Sequence, residues 1–291
     1  MRSRLLLAAL ASLLLLAAAT TWWVVARDDE PAADGRCGPE LKKPGGGTWE
    51  CTFADDFSGS RLDPDTWLVQ ELVGSDDMCA TDSARTIAVS DGHLQLSVVK
   101  TDPTTDPTTV CPVRPDGTRA TYAAGWISTH GRWSQQYGRF EARIRVQDVP
   151  SAGVHEAFWL WPDVRYGADK PWPASGEIDI METYSQHPDL VVPFLHYGAD
   201  DNGGPVDGLN TAQSCRTTRG EWHDYALEWT AEELRILVDG KTCLVNTAGA
   251  SSFRKRFIIN FTQFLGSGQN TYQPTMALPV SMEVDHVRAW R

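Results

Sequence analysis

The sequence predicts an all-β sandwich built as one domain, on three observations. Segments 94–98, 139–146, 234–238 and 280–287 alternate apolar and polar residues or run β-branched, the period-2 signature of half-buried strands. Asp91-Gly92 and Asp239-Gly240 carry the turn chemistry of two-residue hairpins. The part of the 291-residue chain beyond the N-terminal segment fits one large all-β unit, a class that runs to roughly 200–250 residues. Only Ala231 to Leu234 hints at a helical turn, and no internal repeat divides the chain.

The chain opens on basic Met1-Arg2-Ser3-Arg4, followed by an uncharged run from Leu5 to Ala26 that ends near Trp22 and Trp23. Residues 1–27 thus read as an export signal, long enough to span a bilayer and with tryptophans suited to its interface. Cleaved signal peptide and retained signal-anchor both stay open. The reading leans to the anchor, because no small-x-small cleavage site stands at the hydrophobic boundary. Residues 28–48 are polar and rich in Pro and Gly, a short linker. Residues 49–291 form the folded domain.

Six cysteines, Cys37, Cys51, Cys79, Cys111, Cys215 and Cys243, occur without a C-x-x-C pair. In an exported chain an even count points to disulfides rather than zinc. Fifteen connectivities are open to six cysteines, and the expectation taken here is nearest-neighbour pairing. The formal charge of −12 argues against nucleic acid, anionic membrane surfaces and sulfated polysaccharides as partners. A neutral glycan meets no such repulsion.

The chemistry concentrates in Ser175-Gly176-Glu177-Ile178-Asp179-Ile180-Met181-Glu182-Thr183-Tyr184. On a strand, Glu177 and Asp179 share one face while Ile178 and Ile180 take the other. Strict alternation would hide Glu182; a β-bulge near Ile180-Met181 returns it to the acidic face, and bulges are common beside active sites. Roughly 13 Å then separates the outer Cα atoms, a gap that inward-leaning side chains narrow toward the ~5–5.5 Å of a retaining glycosidase. A solvated face or a calcium cluster is the plainer reading of such a motif. The surroundings argue otherwise: Phe158-Trp159-Leu160-Trp161, Pro171-Trp172-Pro173 and His196-Tyr197-Gly198 place flat aromatic rings, suited to sugar C–H faces, around the acids. Trp133, Trp159 and Trp172 are read as sugar contacts, and Trp67, Trp229 and Trp290 as core.

Several ordered motifs resemble the laminarinase-like branch of glycoside hydrolase family 16. Besides the bulged E-x-D-x-x-E, these are Trp49 to Leu62, Tyr137-Gly138-Arg139-Phe140-Glu141-Ala142-Arg143, Glu221 to Gly240, and Met282 to Arg288. Together they span residues 49–291. The resemblance implies a β-jelly roll of two antiparallel sheets with a concave glycan cleft, Glu177 as nucleophile, Asp179 as assisting carboxylate, and Glu182 as acid/base. Like-charge repulsion among the three raises one pKa, a shift suited to Glu182. His196 matches a histidine near the acids. Where the family often has N-L-A-V-G-G, this chain reads Asn260 to Gly268, with Gln263 read as a hydrogen-bonding partner of a sugar hydroxyl. The Gly266-x-Gly268 pair is no dinucleotide fingerprint, for it lacks a third glycine.

The resemblance also implies a structural calcium at Asp285, completed by backbone oxygens near Asp56 and Gly92; no cofactor is needed for catalysis. The expected activity is retaining endo-hydrolysis of β-1,3-glucan by a monomer that is secreted or tethered outside the cell. Action on galactan, agar or mixed-linkage glucan, by hydrolysis or transglycosylation, stays open, as does non-catalytic glycan binding. The intact acid set weighs against the last.

Overall fold

Both residues of each expected hairpin turn take positive φ, 54° and 75° at Asp91 and Gly92 and 48° and 72° at Asp239 and Gly240. This is the backbone of a type I′ turn, whose twist matches that of the strands it joins. The computed structural model describes residues 35–73, 77–167, 170–198 and 204–291. The expected export segment lies outside them.

Sixteen strands form among the described residues. The first half of the chain supplies β1 (Cys51–Asp55), β2 (Leu68–Val69), β3 (Leu72–Val73), β4 (Met78–Ala80), β5 (Ile87–Ser90), β6 (His93–Lys100), β7 (Tyr122–Ser128) and β8 (Gly138–Val146). The second supplies β9 (Val154–Pro162), β10 (Glu177–Tyr184), β11 (Phe194–His196), β12 (Trp222–Trp229), β13 (Leu234–Val238), β14 (Lys241–Asn246), β15 (Phe257–Leu265) and β16 (Val280–Trp290). One antiparallel sheet runs β11-β10-β9-β15-β7-β2. The other runs β14-β13-β12-β8-β16, with β6 and β1 successively pairing β16. Strand β7 serves both, pairing β15 from Gly125 onward and β6 through Tyr122–Ala124. The sheets curl over one another.

Alternation puts Ile178, Met181, Phe158, Leu160, Phe257, Ile259 and Phe261 of the first sheet between the layers, against Phe140, Ile144, Tyr225, Leu227, Val284 and Val287 of the second. Each such fully buried large side chain stabilises the fold by about 1.5–3 kcal/mol. Trp67 and Trp229 are buried there as expected, and Trp290 is buried too, in the row of Arg139 outside that cluster. The helical turn expected at Ala231 to Leu234 does not form. Thr230 Oγ1 instead accepts from the amides of Glu232 and Glu233, which turns the chain directly into β13.

The disulfides are Cys37–Cys51, Cys79–Cys111 and Cys215–Cys243, the nearest-neighbour set. The first ties the described part of the linker to β1. Cys79–Cys111 closes the long β6–β7 connection onto β4, and the third holds the loop before β12 to β14. Among the described residues, no helix is long and apolar enough to cross a membrane.

Candidate active site

Residues paired across adjacent strands share a face of the sheet, so the register of β10 dictates what surrounds its acids. Asp179 pairs with Trp159, yet Met181 pairs with Phe158; Ile180 is therefore an extra residue. This is the expected bulge. Beyond it, Glu182, Ala157 of β9, Thr262 of β15 and Trp126 of β7 form one row across four strands. The neighbouring row is Phe194, Asp179, Trp159, Asn260 and Ser128. Glu177, Asp179 and Glu182 thus share one face, with Ile178 and Met181 in the core behind them.

Gly176 opens the strand with φ of 89°, and a Cβ there would stand 2.8 Å from the carbonyl oxygen of Ser252. Only glycine lets the chain enter β10 at this angle. Glu177 follows, receiving a 2.6 Å hydrogen bond at Oε2 from Trp172 Nε1. The Trp172 ring is 50% exposed and sits 5.3 Å from the His196 ring. His196 pairs with Glu177 in β11 and places Nε2 3.1 Å from Asp179 Oδ2. Ligand atoms of Glu177, Asp179 and His196 all lie within 4.8 Å of one another.

Burial, reinforced by the negative charges of Glu177 and Glu182, pushes the Asp179 carboxyl well above the usual aspartate range, and His196 offsets part of this. A rise of this kind is what a row of acids leads one to expect. In the structure it is Asp179 that meets a like charge on either side. A protonated Asp179 can donate a hydrogen bond where an aspartate could not.

Glu182 is buried and held from within the sheet. His155 Nε2 of β9 and the Tyr184 hydroxyl of β10 both contact its Oε1, at 2.8 and 2.9 Å. Burial and the Glu182 charge raise the Tyr184 pKa far above that of a free phenol, so the hydroxyl stays neutral and able to donate. Burial opposes a charge on His155, but Glu182 and Glu156 outweigh it and raise its pKa. Neither partner was singled out from sequence. Tyr184 stands two residues after Glu182 and so belongs to the same face; His155 is legible only through the register that opposes it to Tyr184.

The acid row looks onto an aromatic floor. Trp126 lies 5.9 Å from Trp159 and 6.1 Å from Phe264, and its Nε1 donates to Asn260 Oδ1 at 3.2 Å. Trp159 and Trp161 meet edge to face at 6.0 Å. Trp159, Trp172 and His196 therefore gather around the carboxylates, and Trp126 joins them.

Two expected sugar contacts stand elsewhere. Gln263 belongs to the inward phase of β15 with Phe257, Ile259 and Phe261; fully buried, it faces Glu156 of β9. It serves a buried polar cluster in which Arg219 and Thr183 also bind Glu156. Trp133 packs its ring 4.6 Å from Phe53 and 6.0 Å from Phe140 at the edge of the core.

Asp56, Gly92 and Asp285 lie where β6 gives way to β1 along β16. The Asp285 carboxylate is engaged by His286 Nδ1 at 2.7 Å, with His93 Nε2 3.5 Å away. The side chain expected to anchor the calcium thus has two imidazole neighbours.

The family model for glycosyl hydrolases family 16 matches residues 75–263, more than half of the chain. A beta-glucanase of Rhodothermus marinus is 40% identical over 121 residues, covering 40% of each chain. A glucan endo-1,3-beta-glucosidase of Cryptopygus antarcticus is 28% identical over 273 residues, covering 84% of this chain and 93% of its own. The chain spans 37% to 51% of the length of three of the curated relatives it matches. The catalytic domain of an endo-1,3-beta-glucanase (laminarinase) from Thermotoga petrophila superposes with a TM-score of 0.69 at 19% identity, over 84% of this chain and 98% of that one.

Proposed function

Because this chain belongs to glycosyl hydrolase family 16, we propose that it cleaves β-1,3-glucan within the chain by double displacement with retention. The observation that carries the reading is the bulged strand β10, which brings two glutamates to one face and gives each a different set of hydrogen-bond donors. Glu177 attacks the anomeric carbon, oriented by Trp172. Glu182 protonates the departing glycosidic oxygen and then takes a proton from the incoming water. Asp179, between them, bridges Glu177 and His196 and tempers the charge on Glu177 as the covalent intermediate forms and breaks. The reaction needs no cofactor.

The substrate is a neutral glucan, consistent with the net charge of −12 and with relatives named as β-glucanases. The enzyme acts as a monomer in this reading. Three disulfides suit an oxidising, extracellular setting; residues 1–27 provide export, by cleavage or as a membrane tether, and 28–48 link them to the catalytic domain at 49–291.

Reducing-sugar release from laminarin, mixed-linkage glucan, agarose and galactan tests the reading. Laminarin should fall to short oligosaccharides. Turnover of agarose or galactan alone would transfer the activity to another β-linked glycan, and tight laminarin binding without turnover would make this a binding protein.

A further inference from the structure

We infer that His155 and Tyr184 clamp one oxygen of Glu182 and thereby assign the proton it transfers to the other. The inference rests on Glu182 being the acid/base, and goes beyond it by naming the atom and the residues that set it.

Both contacts end on Oε1, and among the described residues no hydrogen bond reaches Oε2. A neutral phenol donates, and so does an imidazole nitrogen that carries its hydrogen. With two donors on Oε1, Glu182's own hydrogen has no place there and sits on Oε2. The clamp is rigid: Tyr184 and His155 are register partners on adjacent strands, and their rings stack 4.6 Å apart at 24°. On the far side of His155 in β15 stands Phe264, which does not titrate. The adjacent Glu156 points into the core and pairs with Arg219 at 2.7 Å, and its charge still acts on His155. The other titratable groups near Glu182 are Asp179 and Glu177 on its own strand, with His196 on the far side of Asp179.

The clamp matters in both half-reactions. In the first, the hydrogen on Oε2 passes to the glycosidic oxygen as the C–O bond breaks and its electron pair stays on that oxygen; Glu182 is left a carboxylate. The two donors then stabilise the charge. In the second, Oε2 takes a proton from water as the water oxygen bonds to the anomeric carbon and Glu177 leaves. The same oxygen donates and accepts, and no rotation of the carboxyl is required between steps.

The test uses Tyr184→Phe, which keeps the ring stack and removes one donor, and His155→Gln, which retains an amide donor and removes the titratable ring. Each is assayed on laminarin and on 2,4-dinitrophenyl β-laminaribioside, whose leaving group departs without protonation. In Tyr184→Phe, kcat/KM on laminarin should fall about tenfold, the scale of a hydrogen bond to a charged group. The burst of dinitrophenolate should stay within about twofold of the parent. Both variants should move the alkaline limb of kcat/KM upward, since each removes a partner that favours the charged carboxylate. Equal losses on both substrates, or an unmoved alkaline limb, would reduce the pair to packing and overturn the inference. A Glu182→Gln variant separates the two levels: if its defect does not depend on the leaving group, the acid/base role itself fails.

Discussion

The two ends of β10 carry the same residue type in contrasting surroundings. Glu177 is half-buried, and its partner Trp172 reaches it from a connecting segment with the ring 50% exposed. Glu182, five residues on, is buried, and its partners Tyr184 and His155 belong to the sheet. At the rim, the Trp172 indole N–H steadies one oxygen of the attacking carboxylate. Two donors on one oxygen in the interior define a proton site. What separates nucleophile from acid/base is the neighbourhood, as the pattern of paired carboxyls in other glycosidases leads one to expect.

The sharpest way to break this comparison is to remove each carboxylate. Glu177→Gln and Glu182→Gln should each lower laminarin hydrolysis by at least the ~10²–10⁴-fold attributed to acid/base catalysis. Only Glu182→Gln should keep near-parent bursts on dinitrophenyl glycosides. Next in size is Trp172→Phe, which keeps a ring and deletes the indole N–H. Its kcat on laminarin should drop about tenfold with KM nearly unchanged, because the lost bond orients Glu177 rather than substrate. A KM rise without a kcat change would assign Trp172 to sugar stacking alone.

The smallest expected effect concerns stability. Asp179 has a raised pKa, so the folded state holds its proton more tightly than the unfolded state. Its contribution is therefore favourable below about pH 4 and is lost as pH climbs toward the folded value. Asp179→Asn removes a carboxyl whose ionisation opposes folding. The variant should lose activity yet melt about 2–4 °C higher at pH 7, the shift that ~1 kcal/mol produces in a domain of this size. At pH 4 the gain should shrink. Thermal scans at the two pH values check it, and a lower melting temperature at both would show that the His196 contact outweighs the burial penalty.

The parts legible in the sequence share one cause: a local pattern that fixes a phase. Two isoleucines and a methionine among three acids admit one arrangement that buries the former and gathers the latter, and it contains a bulge. Phe257 to Leu265 offers no such contrast. It is apolar in both phases, so nothing local says that Gln263 points inward with Phe261 while Asn260 joins the floor. His155 was hidden because its relation to Glu182 is set by cross-strand register, which no single segment encodes. Trp133 resembles a cleft tryptophan in composition, and only the contacts with Phe53 and Phe140 decide otherwise. The Asp179 pKa is raised because the side chain is buried, and a middle position in a row of acids adds the charge of both neighbours.

The central claim, that the two ends of β10 play different chemical parts, is tested most directly by the anomeric configuration of an intercepted product. With Glu182→Ala, an activated β-glycoside and added azide, the surviving Glu177 should form the glycosyl-enzyme and azide should displace it, giving a β-glycosyl azide with retained configuration. With Glu177→Ala, azide replaces the nucleophile itself and the product should be the α-azide. Proton NMR of the two products distinguishes these outcomes. The α-azide from Glu182→Ala and the β-azide from Glu177→Ala would reverse the assignment, and unimpaired hydrolysis in either variant would contradict it.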